Sequence, residues 1–261
     1  MPKLLRDLKS FYKTQGRAHL PWRKTRDPYL ILVSEVMLQQ TQVDRVITFY
    51  ERFIKKFPTP ERLARAKLGD VLTLWQGLGY NRRAKYLHEA AKILAKEGWT
   101  GQKLPGVGPY TRAAVEAFAH DKPGVFIETN IRTVFIHYLF RRKDALVGDA
   151  ELMPHIEATL AKSGMRPRDF YAALMDYGSF LKRQGIRLNS RSKHYAKQPD
   201  FRGSYRQLRG AIVRAVVGKP KTMEELADLA ERPRSEVASA VAALAKEGIV
   251  QVKNGKISVA R

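Results

Sequence analysis

The chain has 261 residues, 44% of them hydrophobic, enough for a sizeable core and too apolar for disorder throughout. Its 48 Lys and Arg against 25 Asp and Glu leave a net charge of +23, which points to a polyanionic partner, nucleic acid first among them. It has no cysteine, which excludes disulfides, thiolate metal sites, cysteine nucleophiles and cysteine-bound iron–sulfur clusters.

Helical periodicity runs through the first two-thirds. The N-terminal MPKLLRDLKSFYK is charged throughout and lacks the apolar stretch of a signal peptide, and no apolar run reaches the roughly eighteen residues that span a bilayer. The expectation is a soluble, intracellular protein with no membrane contact. DPYLILVSEVMLQQTQVDRVITFYERFIKKF carries two helical runs; RLARAKLGDVLTLWQGL, NRRAKYLHEAAKILAKEG and PYTRAAVEAFAH carry further ones. Breakers separate them at Pro28, Pro58 with Pro60, Gly77 with Gly79, Gly98, and Pro105 to Pro109. A compact array of short helices follows.

In LPGVGPYTRAA, Gly106, Val107 and Gly108 form a tight turn into a helix opened by Pro109, Tyr110 and Thr111. Such a turn leaves backbone N–H groups at a helix N-terminus, where a phosphate can bind. In VFIETNIRTV, Glu128 stands at the mouth of another helix, where an acid stabilises by about 0.3–1 kcal/mol through the helix dipole. The six histidines form no ligand-spaced pair, so no metal site is expected.

Composition shifts near Gly178. Between Lys182 and Lys221 stand twelve Lys or Arg, with Asp200 the only acid. RLNSRSKHYAKQPDFRGSYRQ lacks apolar periodicity and is expected to be a long loop. Its Tyr195, Phe201 and Tyr205, interleaved with cations, favour contact with nucleic acid. The tail reads as a separate unit: a helix from Tyr205 to Val217, a capping box of Thr222 and Glu225 opening a second helix, SEVASAVAALAKEG as a third, and a hairpin around Asn254-Gly255. That order resembles a winged-helix domain.

Taken together, PWRKTRDPYLILVSEVMLQQTQV, WQGLGYNRRAKYLHEAA, LPGVGPYT and IETNIRTV resemble, in this order, the helix–hairpin–helix DNA glycosylases, and among them the adenine-specific mismatch (MutY-type) enzymes. The resemblance covers about Leu4 to Phe180. It implies a mainly α, two-lobed helix–hairpin–helix DNA glycosylase fold over residues 1–184, with Glu35 and Glu128 facing each other across a cleft. A basic loop over 185–204 stands in place of the family's iron–sulfur loop, and the winged-helix domain spans 205–261. The implied partner is double-stranded DNA with a mismatched or damaged base, bound by a cytoplasmic, nucleoid-associated monomer with no cofactor.

The resemblance also implies roles. Glu35 is the acid that protonates the departing purine. Glu128 stabilises the oxocarbenium-like sugar. Tyr110 stands where strand-cutting relatives carry a Schiff-base lysine, so base release without lyase activity is expected. Trp22, Arg23 and Asp176 form the base pocket. Gln39, Gln40 and Thr41 face the orphaned partner base, and Leu78 with Tyr80 wedges the stack open. The hairpin Gly106–Thr111, with Arg82, Arg191 and Lys193, contacts the DNA backbone.

The chain departs from the family in three ways. The four cluster cysteines are missing. A winged helix replaces the usual domain that reads oxidised guanine. Glutamate at 128 replaces the usual aspartate, and a shift of about an ångström there can cost ~100-fold in rate. The expected activity is removal of adenine opposite guanine or 8-oxoguanine. Two alternatives are removal of thymine or uracil opposite guanine, and a non-catalytic DNA-binding or damage-sensing role.

Overall fold

A computed structural model describes residues 1–141, 145–198 and 200–260; Pro199 of the basic loop and Arg261 after the wing lie outside them. The chain is mainly α. Its helices are α1 (Pro2–Gln15), α2 (Pro28–Leu38), α3 (Val43–Lys56), α4 (Pro60–Ala64), α5 (Leu68–Trp75), α6 (Arg82–Glu97), α7 (Pro109–His120), α8 (Thr129–Leu139), α9 (Asp149–Ser163), α10 (Pro167–Arg183), α11 (Tyr205–Gly218), α12 (Met223–Ala230) and α13 (Arg234–Lys246). A hairpin of β1 (Val250–Lys253) and β2 (Lys256–Val259) closes the chain. Prolines open α4, α7 and α10, where a missing N–H costs nothing and the fixed φ already suits the helix.

The chain divides into two compact units. One comprises Met1–Ile31 and Val107–Lys197, the other Leu32–Gly106 and Gln198–Arg261. The division falls inside α2, which is apolar almost all round: Ile31, Leu32, Val33, Val36 and Met37 are all buried. A helix of that pattern belongs in an interior.

In the first unit, Leu4, Leu8 and Phe11 line one face of α1, and the Phe11 ring meets Tyr177 and Phe180 of α10 at 5.1 and 5.0 Å. α8 packs against α10 at very close range. A Cβ at Gly178 would lie 2.3 Å from the Asn130 carbonyl oxygen, so only glycine allows this approach. Just before α8, Phe126 stacks on Tyr171 of α10 with centroids 3.8 Å apart.

The basic loop differs from the irregular stretch expected of it. Asn189–Arg191 form a single helical turn, and Val147, fully buried, pairs with the loop through its N–H to the Arg191 carbonyl (2.9 Å) and the Lys193 N–H to its own carbonyl (3.0 Å). Thr133 Oγ1 on α8 donates to Asn189 Oδ1 at 3.0 Å. Periodicity cannot register such anchors, because each is a single long-range contact.

In the second unit, Val46, Tyr50 and Phe53 form the buried stripe of α3, and Phe53 meets Trp75 of α5 edge-on at 5.9 Å. α4 and α5 pack on α6. The winged-helix elements belong to this same unit. The capping box of Thr222 and Glu225 opens α12, and Asn254 and Gly255 (φ 51° and 71°) turn β1 into antiparallel β2. α11 packs on α5. Glu247 joins the two parts: it accepts from Arg82 of α6 and, at 2.6 Å, from Arg209 of α11.

Candidate active site and DNA interface

In the first unit, Glu128 is the N-cap of α8. Its Oε1 accepts from the N–H groups of Asn130 (2.8 Å) and Ile131 (3.0 Å), and its Oε2 from the Asn130 side-chain amide (3.2 Å). The other end of that amide accepts from Lys182 Nζ at 2.8 Å. A short relay, Lys182–Asn130–Glu128, therefore holds the carboxylate on the helix mouth. Burial pushes the Glu128 carboxyl above the usual carboxylate range, opposed by the two N–H donors and by the charges of Lys182 and Arg132. The same burial pulls the Lys182 ammonium down, with Glu128 opposing.

Asp176, almost fully buried on α10, takes Arg17 as its nearer partner. The Arg17 N–H and Nε donate to its two oxygens at 2.8 Å each, while Arg23 lies 3.6 Å away. Arg23 also sits over the Phe118 ring, 5.1 Å from its centroid, and Trp22 beside it is buried. Arg17 went unnoticed in the sequence because one arginine among 48 cations carries no signal. Tyr110 opens α7 with its ring edge-on to Phe126 at 5.6 Å. Of the hairpin glycines, Gly106 ends a segment of the second unit, has φ 69°, and a Cβ there would strike Tyr86 of that unit at 2.7 Å; at Gly108, the N-cap of α7 in the first unit, a Cβ would meet nothing within 4 Å. Thr111 and Val107 are buried. Arg191 donates to the Arg141 carbonyl at 2.7 Å, and Lys193 is exposed. A cleft of about 440 Å³ on this unit is lined by Arg23, Lys24, Arg26, Arg166 and Arg168, with Asp169 its one acid.

In the second unit, Glu35 is buried, 6% exposed, near the end of α2. The turn Gln39–Thr41 follows, and a second turn over Gly77–Tyr80 leads into α6. Arg83, which nothing in the sequence distinguishes from its neighbour Arg82, ties these turns together. Its Nη1 donates to the carbonyls of Val36 (2.8 Å), Met37 (3.1 Å) and Gln39; its Nη2 donates to Thr41 Oγ1 (3.3 Å) and to the carbonyls of Leu78 (3.1 Å) and Gly79 (3.0 Å). Burial pulls the Arg83 guanidinium down to about 10, still protonated at neutral pH. It caps the C-terminus of α2, whose last carbonyls have no partner within the helix.

Leu78 is expected to wedge the DNA stack open. It is instead buried, because Gly77 and Gly79 (φ 101° and 74°) fold the turn inward, where Trp75 Nε1 donates to the Gly79 carbonyl at 3.1 Å. Arg82, expected on the DNA backbone, here pairs with Glu247. The chain lacks cysteine, and no cluster of three His, Cys, Asp or Glu side chains suited to a metal ion occurs among the described residues. The residues in the iron–sulfur position thus do not fit that group; the pairing with Val147 and the Asn189–Thr133 bond order the loop.

One segment of the chain is similar to a known family. Residues 33–155, which contain both Glu35 and Glu128, match the HhH-GPD superfamily of base excision DNA repair proteins. It is similar to the adenine DNA glycosylase of Buchnera aphidicola subsp. Baizongia pistaciae, 40% identical over 138 residues that cover 49% of this chain and 39% of that protein. It is also similar to the adenine DNA glycosylase of Mycobacterium tuberculosis, 36% identical over 190 residues, 66% of this chain and 60% of that one. The chain thus spans between about two-fifths and three-fifths of these relatives. Among solved structures, a thermostable thymine-DNA glycosylase superposes with a TM-score of 0.58 at 26% identity, over 74% of this chain and 95% of that one. No described helix is long and apolar enough to cross a membrane.

Proposed function

We propose that the protein is a DNA glycosylase of base excision repair, acting on double-stranded DNA to release adenine mispaired with guanine or 8-oxoguanine and leave an abasic site. The observation that carries this reading is the pair of carboxylates within the family match, each held in a distinct environment. Glu35 is buried near the end of α2, and in this reading it is the acid that protonates N7 of the leaving purine. Glu128 is fixed by two backbone N–H groups and the Asn130 amide, and it stabilises positive charge on the sugar as the base departs. Water then completes hydrolysis at the anomeric carbon. The extra methylene of Glu128 is accommodated by folding the side chain onto its own helix, where the donors define the carboxylate position.

Tyr110 offers no amine, so the reading includes no Schiff base and no strand cleavage. The net charge of +23 supports a DNA partner, and the names of the two curated relatives support adenine as the base. No metal or redox cofactor takes part, and the enzyme acts as a cytoplasmic monomer at the nucleoid. A second reading, removal of thymine opposite guanine, is favoured by the likeness to the thymine-DNA glycosylase over nearly its whole length. Single-turnover assays on A·G, A·8-oxoguanine, T·G and U·G duplexes separate the two. Adenine release with the strand left intact supports the first reading; thymine or uracil release alone overturns it. Borohydride trapping of an enzyme–DNA adduct would overturn the absence of lyase chemistry.

A further inference from the structure

Gln40 and Tyr80 both adopt the left-handed backbone region, with φ of 55° and 51°. Non-glycine residues stay there only where their surroundings hold them. Arg83 holds both turns from inside the unit. A second grip comes from the chain around the start of α11. Gln198 Nε2 donates to Gln40 Oε1 at 2.9 Å and also to the Tyr80 hydroxyl. Arg206 Nη1 donates to the same hydroxyl at 2.6 Å, and its guanidinium lies 5.4 Å from the Tyr80 ring centroid and 5.3 Å from that of Phe201. The Arg83 guanidinium is likewise 5.4 Å from the Tyr80 ring. Two cations, one from α6 and one from α11, therefore fix a single tyrosine.

The chemistry left over is specific. With its oxygen accepting from Gln198, the Gln40 amide keeps its N–H donors, and Gln198 keeps its carbonyl as an acceptor. The Tyr80 hydroxyl accepts from two donors and retains its own proton to give. Phe201 and Tyr205, 56% and 51% exposed, flank the cluster, with Arg206 over the Phe201 ring and Arg209 over the Tyr205 ring.

We propose that Gln198 and Arg206 are specificity-determining positioning residues. Through Gln40 and Tyr80 they make the basic loop and the first helix of the C-terminal domain part of the reader for the base left unpaired when its partner is extruded. A neighbouring donor and acceptor match a carbonyl beside a ring N–H, the O6/N1–H edge common to guanine and 8-oxoguanine and reversed in a cytosine, which offers an amino donor beside a ring acceptor. The winged helix would thereby act through its leading edge. The exposed face of α12 and the start of α13 carry Glu224, Asp228, Glu231 and Glu236 against Arg232 and Arg234, which pair with Glu236 and Glu224, a net acidic balance unsuited to a DNA groove.

This inference rests on the base-excision reading, so its test uses two readouts on the full chain. The first is single-turnover adenine release opposite guanine, 8-oxoguanine and cytosine, for wild type, Q198A and R206M. The second is equilibrium binding of duplexes that place the same three bases opposite a tetrahydrofuran abasic analogue, which needs no catalysis. The expected result is a drop of about 10-fold in guanine-over-cytosine selectivity in each variant, in both readouts, with the cytosine value nearly unchanged. Equal loss opposite guanine and 8-oxoguanine supports the shared edge; loss confined to 8-oxoguanine overturns that assignment. Uniform weakening across all three bases, or unchanged selectivity, overturns the proposal. Selective binding by wild type without base release would contradict the enzymatic reading while leaving the reader intact.

Discussion

Replacing Arg83 should unfasten the two turns that follow α2 and α5. In Arg83→Ala, six acceptors lose a cationic donor, among them the carbonyls of Val36, Met37 and Leu78, whose residues are buried. A hydrogen bond to a charged group contributes about 1.5–3 kcal/mol, and a stranded buried acceptor costs about 1–3 kcal/mol. Shared donors make these values non-additive, so the expected loss is about 3–5 kcal/mol, at the severe end for a point change. Arg83→Lys keeps the charge but offers three donors to six acceptors, and about 1–3 kcal/mol should go. Urea unfolding at neutral pH, followed by far-UV circular dichroism, measures both. In the lysine variant, which still folds, single-turnover adenine release should fall by about 100-fold, because a shift of an ångström in a positioning loop has that effect. If Arg83→Ala unfolds within about 1 kcal/mol of wild type, the clamp is not holding these turns and the reasoning fails.

Three further outcomes follow from single contacts. Burial raises the Glu128 pKa, so the folded protein holds this proton more tightly than the unfolded chain, and stability declines as pH climbs from about 4.3 toward the folded value. Glu128→Gln should therefore melt no lower than wild type at neutral pH while losing base release; a clear fall in melting temperature would contradict the burial argument. Gly178→Ala forces a methyl against the Asn130 carbonyl and should cost about 1–3 kcal/mol, with a fall in base release because Asn130 carries Glu128; unchanged stability would show that α8 yields without cost. Glu247 is held below the usual carboxylate range by Arg82 and Arg209 against an opposing burial effect, so its contribution is complete above about 4.3 and fades as pH falls through the lower folded value. Glu247→Gln should lose about 1–2 kcal/mol at pH 7 and progressively less in acid, measured by urea unfolding across that range.

Much of this was legible from local chemistry. The capping box at Thr222, the Asn254-Gly255 turn and the acid opening α8 each act within a few residues, so spacing alone exposes them. The glycines at 106 and 108 announced a turn for the same reason. What escaped were contacts set by the tertiary fold. Arg83 and Arg17 sit in basic surroundings that make any one arginine anonymous, yet one joins two turns and the other takes Asp176 ahead of the expected Arg23. Leu78 between two glycines has the pattern of an exposed tip, and only the bonds from Trp75 and Arg83 turn it inward. The order in the basic loop depends on Val147, about forty residues upstream, which no local pattern links to it.

The most direct test of the account is single-turnover base release from an A·8-oxoguanine duplex by wild type and Glu35→Gln, with enzyme in excess. The account predicts free adenine and an intact abasic strand with wild type, and a rate lowered by at least ~100-fold in the variant, the scale of a lost general acid. Full activity in Glu35→Gln, or no base released by wild type from any mismatched duplex, would contradict it.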